Sequence, residues 1–142
     1  MSKTSNQLSA ELLQAFADTH YIVNYEAPFA MHIGQPCSEL KALMDKHNVL
    51  SAAFITAWNP FSQNLHPKEN QARQDQLKVN LKRRGLICID GIGKHPNNNW
   101  PGEASVLVLG LDLEAAKSLA RRYEQHAFVW ASGDGVPELI KP

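Results

Sequence analysis

The sequence predicts an α/β (α+β) fold: a ferredoxin-like βαββαβ core with a mixed sheet, extended by an N-terminal helix, a β-hairpin and a second helix. Three observations lead there. From Leu50 onward, apolar runs and amphipathic stretches follow one another in the order strand, helix, strand, strand, helix, strand, which is the split βαβ arrangement. The runs Ala53-Phe54-Ile55-Thr56-Ala57-Trp58 and Val106-Leu107-Val108-Leu109 are nearly continuous in apolar character, so both faces of their sheet must be covered. Two helical stretches upstream of the core are available for the face that the core's own helices leave bare.

Taken in order, Leu8, Leu12, Leu13 and Phe16 recur at helical spacing and predict a helix over Ser5 to Thr19. Tyr21, Val23 and Tyr25 alternate with other residues, as do Phe29, Met31 and Ile33 beyond Ala27-Pro28, the pattern of a hairpin. Leu40, Leu43 and Met44 mark a second helix, with Pro36 near its start. The core then reads as strand Leu50 to Trp58, helix Pro67 to Arg84, strand Leu86 to Ile92, strand Ala104 to Gly110, helix Asp112 to Glu124 and strand Ala127 to Ala131. The 142 residues suit a single domain, 1–142, with this core at about residues 50–131.

Composition narrows the function. Apolar residues make up 44% and charged residues 20% of the chain, which is ordinary for a folded domain. Fourteen basic side chains balance fourteen acidic ones, so no global field draws the protein to nucleic acid. The basic runs Lys82-Arg83-Arg84 and Arg121-Arg122 fall at predicted helix ends, where positive charge complements the helix dipole. Nucleic acid is therefore the weakest partner. No apolar run approaches the roughly 20 residues of a membrane span, and the N-terminus lacks the charged and apolar blocks of a secretion signal. Cys37 and Cys88, two thiols far apart, fit a reducing compartment, and the cytoplasm is expected.

Several motifs are weaker than they look. Gly91-Ile92-Gly93-Lys94 resembles a phosphate loop, but the residues around it depart from the required spacing. The six histidines show no zinc-binding spacing. No cofactor and no metal are expected. Cys37 stands at a helix start, where a thiol can be activated, although a small residue beside a cap is the simpler reading. Cys88 lies in an apolar strand, and Trp58 and Trp130 also read as core.

The informative feature is polar. On the helix from Pro67, the face that carries Leu77 and Leu81 also carries Asn70, Arg73 and Gln74. Either this first turn overhangs the core in solvent, or it forms one wall of a pocket. The topology favours a pocket, because strand Leu50 to Trp58 ends where this helix begins, and helix N-termini offer free N–H groups to anions. Asn59 and Ser62 lie in the connection, and the long loop Gly91 to Glu103 leaves the sheet at the same edge, as does Gln125 before the final strand. Within that loop, Trp100 could stack on a planar ligand or anchor its own loop. Glu103 is the candidate general base, and an ion pair with Arg73 is the alternative role for it.

These residues also resemble a family. Phe54-Ile55-Thr56-Ala57-Trp58-Asn59-Pro60, then Asn70 and Arg73, then Trp100 with Glu103 and Ser105, and finally Arg122-Tyr123-Glu124-Gln125-His126-Ala127 with Trp130 are similar to the bacterial family called domain of unknown function 3293. The resemblance covers about Tyr21 to Trp130. It implies a small bacterial cytoplasmic protein and supplies no reaction. It also implies that Thr56, Asn59, Asn70, Trp100, Glu103 and Gln125 occupy the family's recurring polar and aromatic positions.

The expectation is thus a small, partly anionic ligand, a nucleotide or phosphorylated metabolite, bound at one sheet edge. Thr56, Asn59, Ser62, Asn70, Arg73, Trp100 and Gln125 would contact it, with Glu103 as the base if chemistry occurs. The alternative is a protein-interaction module that uses the Asn-rich loop around Trp100, and a homo-oligomer is left open.

Overall fold

The computed structural model describes residues 9–97 and 102–142. The described residues form helices α1 (Ala10–Asp18), α2 (Ser38–Lys46), α3 (Pro67–Arg83) and α4 (Leu113–Arg122). Their strands are β1 (His20–Val23), β2 (Phe29–Met31), β3 (Ser51–Ile55), β4 (Ile87–Lys94), β5 (Glu103–Leu109), β6 (Phe128–Ser132) and β7 (Glu138–Ile140). Local chemistry sets the helix starts: Ser9 accepts the Leu12 N–H at α1, Pro67 opens α3, and Asp112 accepts the Ala115 N–H at α4. Among the described residues no helix is long and apolar enough to cross a membrane.

The seven strands make one sheet in the order β2-β1-β4-β5-β3-β6-β7. Every recorded pair is antiparallel, which corrects the expected mixed sheet. β3 and β4 do run in the same direction, but the β4–β5 hairpin places β5 between them, so no parallel neighbours arise.

Alternation along each strand divides the core. Ala52 and Phe54, Leu107 and Leu109, and Val129 and Ala131 pack with Leu40, Leu43 and Met44 of α2. Ala53 and Ile55, Val106 and Val108, and Phe128 pack with Leu77 and Leu81 of α3 and Leu119 of α4. The continuous apolar runs therefore report a sheet covered on both faces.

Two strand boundaries differ from expectation for a physical reason. Residues 91–94 extend β4 instead of opening the loop, because β1 lies alongside and pairs Tyr21 with Gly93 and Val23 with Gly91. Glycine is required at 91: a Cβ there would stand 2.6 Å from the Ile22 carbonyl and 2.7 Å from the Phe54 ring. The stretch after β6, beyond the expected core, supplies β7, with Ile140 opposite Phe128.

Candidate functional site

The polar start of α3 is buried rather than solvated. Asn70 and Gln74 are each 2% exposed, and they satisfy the backbone that leaves β3. Gln74 Oε1 accepts the Ala57 N–H at 2.9 Å, and Asn70 Oδ1 accepts the Asn59 N–H at 2.8 Å. Asn70 Nδ2 donates back to Asn59 Oδ1 at 2.7 Å. Arg73 Nε donates to the Ala57 carbonyl at 2.9 Å, and its Nη2 donates to the Tyr123 carbonyl at 2.7 Å. Side chains thus replace the ladder partners that Ala57 to Asn59 lack beyond the strand end.

Asn59 is turned by this clamp into a left-handed conformation, φ 46°, and Phe61 and Ser62 follow at φ 48° and 60°. Such values are costly for residues other than glycine. The Phe61 N–H donates to the Glu124 carbonyl, the Ser62 N–H to the Asn59 carbonyl, and the Phe61 ring packs against His126 with centroids 5.6 Å apart.

In front of the clamp lies a cavity of about 220 Å³. Thr56, Asn59, Ser62, Glu103 and Gln125 line it, so five of the residues expected to meet do so. Asn70 and Arg73 are not among its lining residues. Their hydrogen bonds go instead to the backbone of Ala57, Asn59 and Tyr123. Trp100, with the neighbouring positions 98, 99 and 101, lies outside the described residues.

The far wall was not expected from the sequence. Leu12, Ala15 and Phe16 of α1 close the cavity, joined by Thr19, Tyr21 and Phe54. The apolar stripe of α1 signalled that this helix covers something, and nothing in its pattern says which end of the sheet. His95 and His126 also reach the wall.

Glu103 opens β5 opposite Gly93, where the missing side chain leaves room: a Cβ on Gly93 would find its nearest neighbour 3.7 Å away. Among the described residues one side chain donates to the Glu103 carboxylate, Asn59 Nδ2 at 3.3 Å. Burial pushes the Glu103 pKa up to about 7, an effect that the Asn59 hydrogen bond partly offsets. Burial likewise raises Tyr21, with the charge of Glu103 adding to the shift.

The expected anion cradle is differently arranged. Arg73 pairs with Glu124 at 3.6 Å, not with Glu103. At the start of α3, His66 Nδ1 accepts the Lys68 N–H at 3.1 Å, and Pro67 has no N–H to offer. Cys37 stands at the start of α2 without a side-chain capping bond, its thiol donating to Glu39 Oε1 at 3.8 Å, and burial raises its pKa, so the activated-thiol reading has no support. Cys88 is half-buried rather than fully core, and Trp130 is partly buried with its indole N–H donated to the Leu111 carbonyl at 3.0 Å.

Neither the curated proteins nor the solved structures contain a match to this chain. A family model described as "Protein of unknown function (DUF3293)" matches residues 55–128, a span that includes the clamp and all five of the expected residues that line the cavity, Thr56, Asn59, Ser62, Glu103 and Gln125. More than half of the sequence is covered, from the end of β3 through α3, β4, β5 and α4 to the start of β6, and the chain belongs to the DUF3293 family.

Proposed function

We propose that this protein binds a small organic molecule in the cavity between α1 and the sheet edge, with Glu103 as the group that engages it. The observation that carries the reading is a carboxyl withdrawn into a hollow walled by Phe16 and Phe54, with a pKa of about 7. A buried carboxylate with a purely structural role normally has a cationic partner, yet Arg73 is committed to Glu124 and to two carbonyls. Perturbed carboxyls inside clefts are characteristic of binding and catalytic sites.

In this reading Thr56, Asn59, Ser62 and Gln125 surround the ligand, while Asn70 and Arg73 hold the backbone behind them. Because Glu103 exchanges its proton near neutral pH, it has the property that a general base requires. A nucleotide or phosphorylated metabolite remains one class to test, with Ser62 and the histidines as its donors in place of Arg73. The reading includes a cytoplasmic location, which two unpaired cysteines favour. It also includes a ferredoxin-like inner unit, favoured by the order β4-β5-β3-β6 with α3 and α4 on one face.

Thermal-shift and NMR screens against nucleotides, phosphorylated metabolites, carboxylic acids and amines test the proposal, with Glu103→Gln beside the natural protein. The expected result is a class of compounds that raises Tm and perturbs cavity resonances, less so in the variant. No binding from any class, or binding indifferent to Glu103, would refute it.

A further inference from the structure

The hydrogen-bonding state of the cavity wall restricts the ligand. Most side-chain donors among the described residues of that wall are already committed to the protein. Thr19 Oγ1 donates to the Ala15 carbonyl at 2.6 Å, Tyr21 Oη to the Phe16 carbonyl at 2.7 Å, and Thr56 Oγ1 to the Ala104 carbonyl at 2.6 Å. Ser105 Oγ donates to the Glu103 carbonyl at 3.1 Å. Asn59 Nδ2 is shared between Asn64 Oδ1 and Glu103 Oε2, both at 3.3 Å. Gln125 Nε2 faces the Trp58 and Tyr123 carbonyls at 3.2 and 3.1 Å.

Both amide orientations are chemically forced. Two carbonyl oxygens can only be met by the nitrogen of Gln125. Asn59 Oδ1 receives the Leu65 N–H and Asn70 Nδ2, which leaves its own nitrogen to face Glu103. The acceptors that the described wall leaves uncommitted are the Glu103 carboxylate, Gln125 Oε1 and the lone pairs of Ser105. The groups still able to donate are Ser62, His126 and His95, whose Nδ1 accepts the Asn97 N–H and whose Nε2 lies 3.9 Å from Asp18. No lysine or arginine is among the described residues of the wall.

We infer that the cavity takes a small amine, with a protonated nitrogen presented to Glu103 and Gln125 Oε1 and an apolar body against Phe16 and Phe54. An ammonium group supplies three donors and no acceptor, the complement of these acceptors, and its charge meets the one carboxylate among the described residues of the wall. This inference rests on the cavity being a ligand site. Binding draws the proton off Glu103, because a cation beside a carboxyl favours its ionised form.

Benzylamine, benzyl alcohol, benzoate and phenyl phosphate, which share a ring and differ in head group, are titrated into the full chain by calorimetry and NMR. Benzylamine is expected to bind best and to weaken at least tenfold in Glu103→Gln, whose folding is checked by circular dichroism. In the natural protein, which needs no variant, its affinity should rise about tenfold from about pH 6 to about pH 8 as Glu103 ionises. Tighter binding of benzoate or phenyl phosphate, or equal binding of the alcohol and amine at both pH values, overturns the amine while leaving the cavity a ligand site. Failure of all four compounds to bind counts against both readings.

Discussion

Replacing Glu103 by glutamine removes one ionisation from the cavity while keeping the shape of the side chain and an acceptor for Asn59 Nδ2. Burial raises the carboxyl from its ordinary 4.5 to about 7, a difference worth about 3 kcal/mol at 1.36 kcal/mol per pKa unit. Between those pH values the unfolded chain has released its proton and the folded chain still holds it. Folding stability therefore falls as pH rises through this window and levels off above it, while below the window both states are protonated and the group contributes nothing. Urea denaturation of both proteins from about pH 4 to about pH 8 measures the effect. Subtracting the Glu103→Gln stability from that of the natural protein cancels the histidines and the remaining carboxylates. The difference should drop by about 3 kcal/mol between the two ends of the range. A difference that stays flat within about 0.5 kcal/mol, or that rises with pH, refutes the claim that burial holds the Glu103 carboxyl above its ordinary range.

Three further outcomes follow from the packing. Asn70→Ala strands the Asn59 N–H and should cost about 1–3 kcal/mol in denaturant unfolding, and it should also perturb the cavity resonances of Asn59 and Glu103 although it does not line the cavity. Arg73→Ala should destabilise by a similar amount, about 1–3 kcal/mol, and Arg73→Lys should rescue little, because one ammonium cannot span the Ala57 and Tyr123 carbonyls as the planar fork does; full rescue by lysine in the same unfolding assay would show that charge alone matters. Gly91→Ala should lower Tm sharply or prevent folding, since its Cβ meets a backbone oxygen at 2.6 Å, whereas Gly93→Ala, with its nearest neighbour at 3.7 Å, should keep a near-native Tm.

Much of this molecule is legible in the sequence where one physical rule acts alone. Periodicity places α3 and α4 within a residue or two and marks α2 by Leu40, Leu43 and Met44, and the continuous apolar runs of β3 and β5 announce a sheet covered on both faces. Glycine is ambiguous where rules compete. At Gly91 and Gly93 it reads as a loop, yet the strand needs Gly91 because Phe54 fills the space. β7 is short, follows Pro137 and gains its order from pairing with β6 across residues 133–137, not from a pattern within its own three residues.

At the site, the meeting of Asn59, Ser62, Glu103 and Gln125 follows from the order of elements. The direction in which α3 spends its polar groups does not. Asn70 and Arg73 have the chemistry to hold a ligand and the same chemistry to hold a backbone, and only the geometry of Ala57 to Asn59 decides between these uses. The wall formed by α1 is hidden for a related reason: an amphipathic stripe records that a helix is covered, not what covers it.

The left-handed run at Asn59, Phe61 and Ser62 has an evolutionary consequence. Glycine would take those backbone angles at far lower cost. It would lose the Asn59 amide that faces Glu103, the Phe61 ring against His126 and the Ser62 hydroxyl at the cavity. What these side chains hold in place offsets the cost of the backbone conformation. Among relatives of this chain, a glycine at any of these positions should therefore accompany an altered or lost cavity.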